Sequence, residues 1–235
     1  MFRRALTAAL VAAGLVAWAG AAAQAAAGAL WESKPYTSWT SGELKEILAN
    51  SPWSGRASMT KIRVPAGTSS VVQETALVTW TTAQPMREAL VREQIGQNGT
   101  ISKEVESFLA TPPGSHILAL RIDGGTTAAS FAKDAAAALP HTSLVLSGGR
   151  TPIPATKVEA QVLDREGRLL GTPGSVAADG LAAADGSSLF VFVFPRGFGI
   201  TDADKEIEFV TRLGNYAIKK KFKTREMIYR GQLAI

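Results

Sequence analysis

The sequence predicts an α+β fold, with helices mainly in the first half and an antiparallel sheet or β-sandwich in the second. Three observations predict it. Apolar residues recur at helical spacing at Leu44, Ile47 and Leu48, and again at Met86, Ala89 and Leu90. Gly96 and the Pro112-Pro113-Gly114 run stand where two such helices would stop. After Lys157 the helical spacing fades into short runs of strand formers. No internal repeat of fixed period is visible.

In chain order, the leader comes first. Met1 to Arg4 hold two positive charges and the 26 positions from Ala5 to Leu30 hold none, the charged-then-apolar order of a signal peptide. Ala23-Gln24-Ala25 offers the small-x-small cleavage pattern and places the cut after Ala25, with Ala21-Ala22-Ala23 as a second choice. An uncut anchor helix competes, because 26 uncharged residues are long enough to span a bilayer. Alanine and glycine dominate the stretch, however, and gain little in hydrocarbon, which favours release. Residues 1–25 are therefore read as a signal peptide and 26–235 as a single mixed domain, with a candidate sub-boundary near 150–156. The expected location is periplasmic or secreted, without stable membrane insertion after cleavage.

Thr40-Ser41-Gly42-Glu43 has capping-box spacing and opens a short helix from about Ser41 to Ala49. Ala57 to Val64 and Val71 to Trp80 read as a hairpin pair, then Ala83 to Ile95 and Ser102 to Ala110 as helices. Ile117 to Ile122 reads as a buried strand, Thr126 to Leu139 as an alanine-rich helix, and Ser143 to Ser147 as a strand. Thr151-Pro152-Ile153-Pro154 breaks regular structure. Strands are expected at Lys157 to Leu163, Leu189 to Phe194, Lys205 to Leu213, Ala217 to Lys223 and Met227 to Ile235, with a mobile loop from Gly171 to Ser188.

Composition narrows the chemistry. The 235 residues contain no cysteine, which removes disulfides, zinc-thiolate sites, iron-sulfur clusters and thiol nucleophiles together. The formal charge of +5 includes Arg3 and Arg4, so the mature chain carries 5 − 2 = +3, too mild an excess to predict a nucleic-acid partner. No nucleophile elbow and no phosphate-binding glycine signature occurs, and no cofactor or metal is expected. His116 and His141 stand alone, without a companion at metal-ligand spacing.

Three segments, WESKPYTSWT followed by SPW, VTWTTAQPMREAL, and FPRGFGITDADKEIEFVTRLGNYAIKKKFKTREMIYRGQLAI, resemble a family of uncharacterised exported bacterial proteins. The resemblance covers both ends and part of the middle of the chain. It implies export and a shared architecture, and carries no activity or binding residue across.

Two groups of residues are candidate binding sites. Lys219, Lys220, Lys221, Lys223 and Arg225 form the densest positive run, and on a strand Lys219, Lys221 and Lys223 would share one face that, with Arg225, suits an anionic envelope polymer or lipid headgroup. Such lysines also protect exposed strands from edge-to-edge pairing. Trp31, Tyr36, Trp39 and Trp53 could line a groove for a glycan or peptide, or could lock the N-terminal segment onto the sheet; Pro35, Pro52 and the helix between them favour the lock. The acidic cluster Asp202, Asp204, Glu206 and Glu208 fails as a calcium loop, since Ile207 and Leu213 stand where glycine and glutamate are required.

The sequence thus points to an exported, non-catalytic binding or structural module of the bacterial envelope, with an envelope or secreted partner. Two alternatives remain: a carboxylate-based hydrolase acting on a polysaccharide through Asp204 and Glu206, and an anion-binding protein using the Lys219 to Arg225 run.

Overall fold

The computed structural model describes residues 27–62, 75–96, 99–123, 135–164, 169–171 and 187–235. The expected leader, the expected turn between residues 63 and 74, most of the expected alanine-rich helix and nearly all of the expected glycine-rich loop lie outside the described residues. No helix among the described residues is long and apolar enough to cross a membrane.

The chain is α+β, with its longer helices in the first half and two antiparallel sheets. Helices α1 (Ala27–Ser33) and α2 (Ser41–Asn50) precede strands β1 (Ser54–Arg56), β2 (Ser58–Lys61) and β3 (Thr75–Trp80). Next come α3 (Gln84–Ile95), α4 (Lys103–Ala110), β4 (Ser115–Asp123) and the single turn α5 (Ala135–Ala138). Strands β5 (Ser143–Leu146), β6 (Ile153–Pro154), β7 (Lys157–Leu163), β8 (Leu169–Gly171), β9 (Ser187–Pro195), β10 (Glu206–Leu213) and β11 (Tyr216–Lys223) follow. A two-residue hairpin, β12 (Ile228–Tyr229) and β13 (Gln232–Leu233), comes last.

One sheet has the order β1-β3-β4-β9-β7-β8 and the other β2-β11-β10-β5-β6. The two are joined at both edges by chain that changes sheet. Residues 54–56 pair with β3 while 58–61 pair with β11; residues 153–154 pair with β5 while 157–163 pair with β9. Counting each bent segment as one strand, eight strands close into a flattened ring, with corners made as in orthogonal sheet packings. Closure leaves few strand edges to template aggregation.

Period-two alternation sends one face of each strand inward. Val78 and Trp80, Leu118 and Leu120, Phe190, Phe192 and Phe194, and Ile207 and Phe209 are buried in one continuous core. Phe209 of β10 meets Phe192 and Phe194 of β9 edge-on at 5.1 and 6.3 Å, and Trp80 of β3 meets Phe222 of β11 at 5.4 Å, so aromatic rings tie the sheets together. Each fully buried ring stabilises the fold by about 1.5–3 kcal/mol relative to exposure.

Helices close one end of the ring. The Thr40 capping box is formed: its side chain accepts from the Glu43 N–H and the Glu43 carboxylate accepts from the Thr40 N–H at 2.7 Å. Leu44, Ile47 and Leu48 face the core, and Gly96, at φ 69°, ends α3. Helix α3 is buried on nearly every side, its charged residues Arg87, Glu88 and Arg92 included. Arg87 offsets its burial by donating to the Phe108 and Leu109 carbonyls at the end of α4 while lying 4.6 Å over the Phe108 ring.

Three sequence expectations are corrected. The hairpin pair is split: only residues 54–56 pair with β3, because the chain bends at Ala57 and gives its next strand to the other sheet. The Thr151 to Pro154 break contains the two-residue bridge β6, placed at a sheet edge where Pro154, which has no N–H to donate, is tolerated. Met227 to Ile235 is not one strand but a tight hairpin, turned by Arg230 at φ 52° and Gly231 at φ 75°.

Candidate functional site

The capped end of the ring carries two clefts. The first, of about 670 Å³, lies between α1, the turn at 50–52 and the last residues of β11 with the turn that follows. Its lining includes Lys220, Lys221, Lys223 and Arg225 opposed by Glu32 and Glu226, a balance of 4 − 2 = +2. Trp31 and Phe222 supply its apolar wall.

β11 determines which lysine faces where. Lys219, Lys221 and Lys223 point outward and are exposed, while Ile218 and Phe222 point into the core. The outward lysines stand beside acids on β10: Lys221 is opposite Glu208 and Lys223 opposite Glu206. Lys221 Nζ reaches Glu206 Oε1 at 2.9 Å, and Lys223 Nζ reaches Glu226 Oε1 at 3.1 Å, so part of the expected row is neutralised by solvent-screened, exposed ion pairs. Lys219 lies outside the cleft. The predicted quartet is therefore divided, with Lys221, Lys223 and Arg225 at the cleft and Lys219 on the sheet face.

Lys220 belongs to the inward face, the position that alternation alone assigns to packing, and is half-buried. Its ammonium lies 5.7 Å from the Phe222 ring centroid. Among the described residues it has neither a hydrogen-bond acceptor nor a carboxylate within bonding distance. Burial pushes its pKa below the ordinary lysine value, with Glu226 pulling the other way. Gly55 lies against it: a Cβ there would stand 2.7 Å from Lys220 Nζ and would displace the flexible end of the lysine side chain.

The aromatic residues do not form an open groove. Trp39 and Trp53 are wholly buried and Trp31 is 3% exposed. Trp31 and Trp53 meet edge-on at 5.1 Å, Tyr36 and Trp39 at 6.4 Å, and the Trp53 indole N–H donates to the Ala234 carbonyl at 2.6 Å. They lock the N-terminal segment and the last residues to the barrel end, because burying large rings outweighs any gain from leaving them at a surface.

The acids do not make a catalytic pair. Asp204 is 4% exposed and both its oxygens accept from Arg150 Nη1, at 2.6 and 2.8 Å, while Oδ2 also accepts from the Thr201 N–H at 2.8 Å. Burial alone would raise its pKa; the bonds from Thr201 and Arg150 more than compensate and hold it below the usual carboxylate value. Glu206 is engaged separately with Lys221. No group of three or more metal-ligating side chains occurs among the described residues.

A second cleft, of about 480 Å³, is bounded by the β12–β13 hairpin and the 199–202 turn, with His116 and Arg196 in its wall. Arg196 spends donors on the Pro113 carbonyl at 2.9 Å and on the Ile235 carbonyl. The hairpin is held by Glu88, whose Oε2 accepts from the Tyr229 hydroxyl at 2.5 Å and whose Oε1 lies 3.5 Å from Arg230. Burial, and then Glu88, push the Tyr229 phenol above its ordinary pKa. Sequence reading missed this trio, although Tyr229-Arg230-Gly231 carries a turn signal; nothing local says that a helix 140 residues earlier supplies its acceptor.

His116 is 3% exposed, meets Trp80 edge-on at 5.3 Å, and its Nδ1 has no hydrogen-bond partner among the described residues. Burial, and then the Arg196 charge, push its pKa from 6.5 down to about 4. The unfolded chain therefore takes up this proton first as pH falls. The stability His116 contributes is whole above pH 6.5 and is lost toward pH 4, a decline of about 3 kcal/mol. In the wild type, burial of Glu93, which raises its pKa to about 7, opposes this slope over the same range. The expected result is therefore a difference, with His116→Phe losing less stability than the wild type between pH 7 and 4.5 in denaturant unfolding; equal losses would assign the acid sensitivity elsewhere.

Comparison with known protein families, with curated proteins and with solved structures finds no match.

Proposed function

We propose that the chain is an exported, non-catalytic binding module of the bacterial envelope whose ligand is anionic and seats in the first cleft. One observation carries the reading: four cations and two acids line that cleft, on a rigid ring whose aromatic core fixes the strand that presents them. A cleft lined by one dominant sign raises the local concentration of the opposite charge. The charged-then-apolar order of the first 30 residues, the order expected of a signal peptide, supports the envelope location. The engagement of Asp204 and Glu206 in separate ion pairs leaves the hydrolase alternative without its two carboxylates.

The test is binding of the purified protein to polyphosphate, polygalacturonate and vesicles containing anionic lipid. At least one probe is expected to bind, and to weaken steeply as salt shortens the reach of the cleft charges. The triple variant Lys221→Gln, Lys223→Gln, Arg225→Gln is expected to weaken that binding about tenfold, since it removes three of the four cations that line the cleft. Salt-insensitive binding, or binding to none of the three, would remove the reading.

A further inference from the structure

Resting on that reading, we propose that Lys220 forms an inner subsite of the first cleft and that the group it takes is a phosphoryl group at the end of the ligand. The outward row and the inner lysine are physically different. Lys221 and Lys223 are exposed and already paired with Glu206 and Glu226. Lys220 is withdrawn from solvent beside Phe222 and Gly55, and has no anionic partner of its own within bonding distance among the described residues.

A half-buried ammonium without an acceptor loses part of its hydration, and the Phe222 ring 5.7 Å away replaces that only in part. Apolar residues of the same length would suit the inward face better, next to Ile218 and Phe222. Gly55 stands beside the ammonium, so that a Cβ added there would lie 2.7 Å from Nζ and shift the end of the lysine within the cleft. Both features are accounted for by an anion that completes the site.

The chemistry of the lining selects among anions. Three of the four cations are ammonium groups, which act as point charges on phosphate, and a single guanidinium at the rim leaves a paired carboxylate fork unfavoured. Counting Glu206, which Lys221 holds at 2.9 Å, the balance at the cleft is 4 − 3 = +1, which attracts a phosphomonoester of about −1.5 to −2 without matching its charge. A phosphorylated glycan, a lipid headgroup and free phosphate all present this group, and the assay separates them.

The experiment measures binding to the wild type, Lys220→Met, Gly55→Ala and the triple rim variant by calorimetry and by thermal shift. The probes are inorganic phosphate, glucose 6-phosphate, galacturonate, and vesicles with and without phosphatidic acid. Both phosphate compounds are expected to bind the wild type and to raise its Tm, while galacturonate binds at least tenfold more weakly. Lys220→Met is expected to fold with an unchanged or higher Tm, because an uncompensated cation is gone, and to lose at least tenfold in phosphate affinity. Gly55→Ala, which crowds the ammonium, is expected to weaken phosphate binding while leaving salt-dependent polyanion binding in place.

Phosphate affinity unchanged in Lys220→Met would overturn the inner subsite, and equal binding of galacturonate would overturn the phosphoryl assignment. In both cases salt-dependent binding lost only in the rim variant would leave the broader reading standing. Vesicle binding that needs phosphatidic acid, with no response to glucose 6-phosphate, assigns the phosphoryl group to a lipid; the reverse assigns it to a soluble ester or a glycan.

Discussion

Trp53→Ala is expected to lower the unfolding free energy by about 3–5 kcal/mol, the range for removing a large buried aromatic side chain. Trp53 is 0% exposed, sits at the start of the bent segment that begins the ring, and touches elements distant in sequence. Its ring packs edge-on against Trp31 of α1, and its indole N–H holds the Ala234 carbonyl. The variant loses apolar burial, leaves a void, and releases a carbonyl that the indole had satisfied. Urea unfolding followed by far-UV circular dichroism measures the loss. Trp53→Phe is the control: it keeps most of the volume, forfeits the hydrogen bond, and is expected to cost about 1–2 kcal/mol. A loss below 1 kcal/mol in Trp53→Ala would mean that the lock is not formed in solution.

Arg150→Ala is expected to cost about 2 kcal/mol at neutral pH, because it leaves the buried Asp204 carboxylate with only its Thr201 bonds. Arg150 does more than pair with Asp204: its Nη2 also donates to the Phe198 carbonyl at 2.7 Å, so the turn carrying exposed Phe198 is held by the same guanidinium. The pH dependence identifies the cause. In the wild type the Asp204 pKa is depressed, so its contribution is complete above the ordinary carboxylate value and is lost as pH falls through the folded value. In Arg150→Ala the part of that advantage owed to the guanidinium is absent while the Thr201 N–H bond remains, and the gap between variant and wild type is expected to narrow as pH falls and the carboxyl takes up a proton. A pH-independent gap would assign the loss to the Phe198 turn instead.

Much of the architecture was legible because its signals are local. The Thr40 to Glu43 box, the apolar stripe at Leu44, Ile47 and Leu48, and Gly96 after Ile95 each act within a few residues, and the helices lie where those residues put them. Alternation did the same for β10, where Ile207, Phe209, Thr211 and Leu213 are buried and their neighbours are not. The capping signal at Thr201 to Asp204, which competed for that stretch, is also satisfied, in a single turn before the strand begins.

Of the candidate site, the sequence exposed the cations without their surroundings. Period two placed Lys219, Lys221 and Lys223 on one face, and that is their arrangement. It could not show that Glu206 and Glu208 stand across from Lys223 and Lys221, since register is set by the partner strand. The same alternation put Lys220 among core positions, where a lysine reads as an anomaly until Gly55, 165 residues earlier, is seen to lie against its ammonium.

By itself the sequence determined the absence of thiol chemistry, the helices and strands, and which side chains of each strand turn inward, because covalent composition and nearest-neighbour periodicity decide these. Only the tertiary structure decided that two bent segments close the sheets into a ring, that the tryptophans form a lock, and that Lys220 meets a cleft. Those outcomes depend on contacts between residues far apart along the chain, whose closure is set by how the whole core packs.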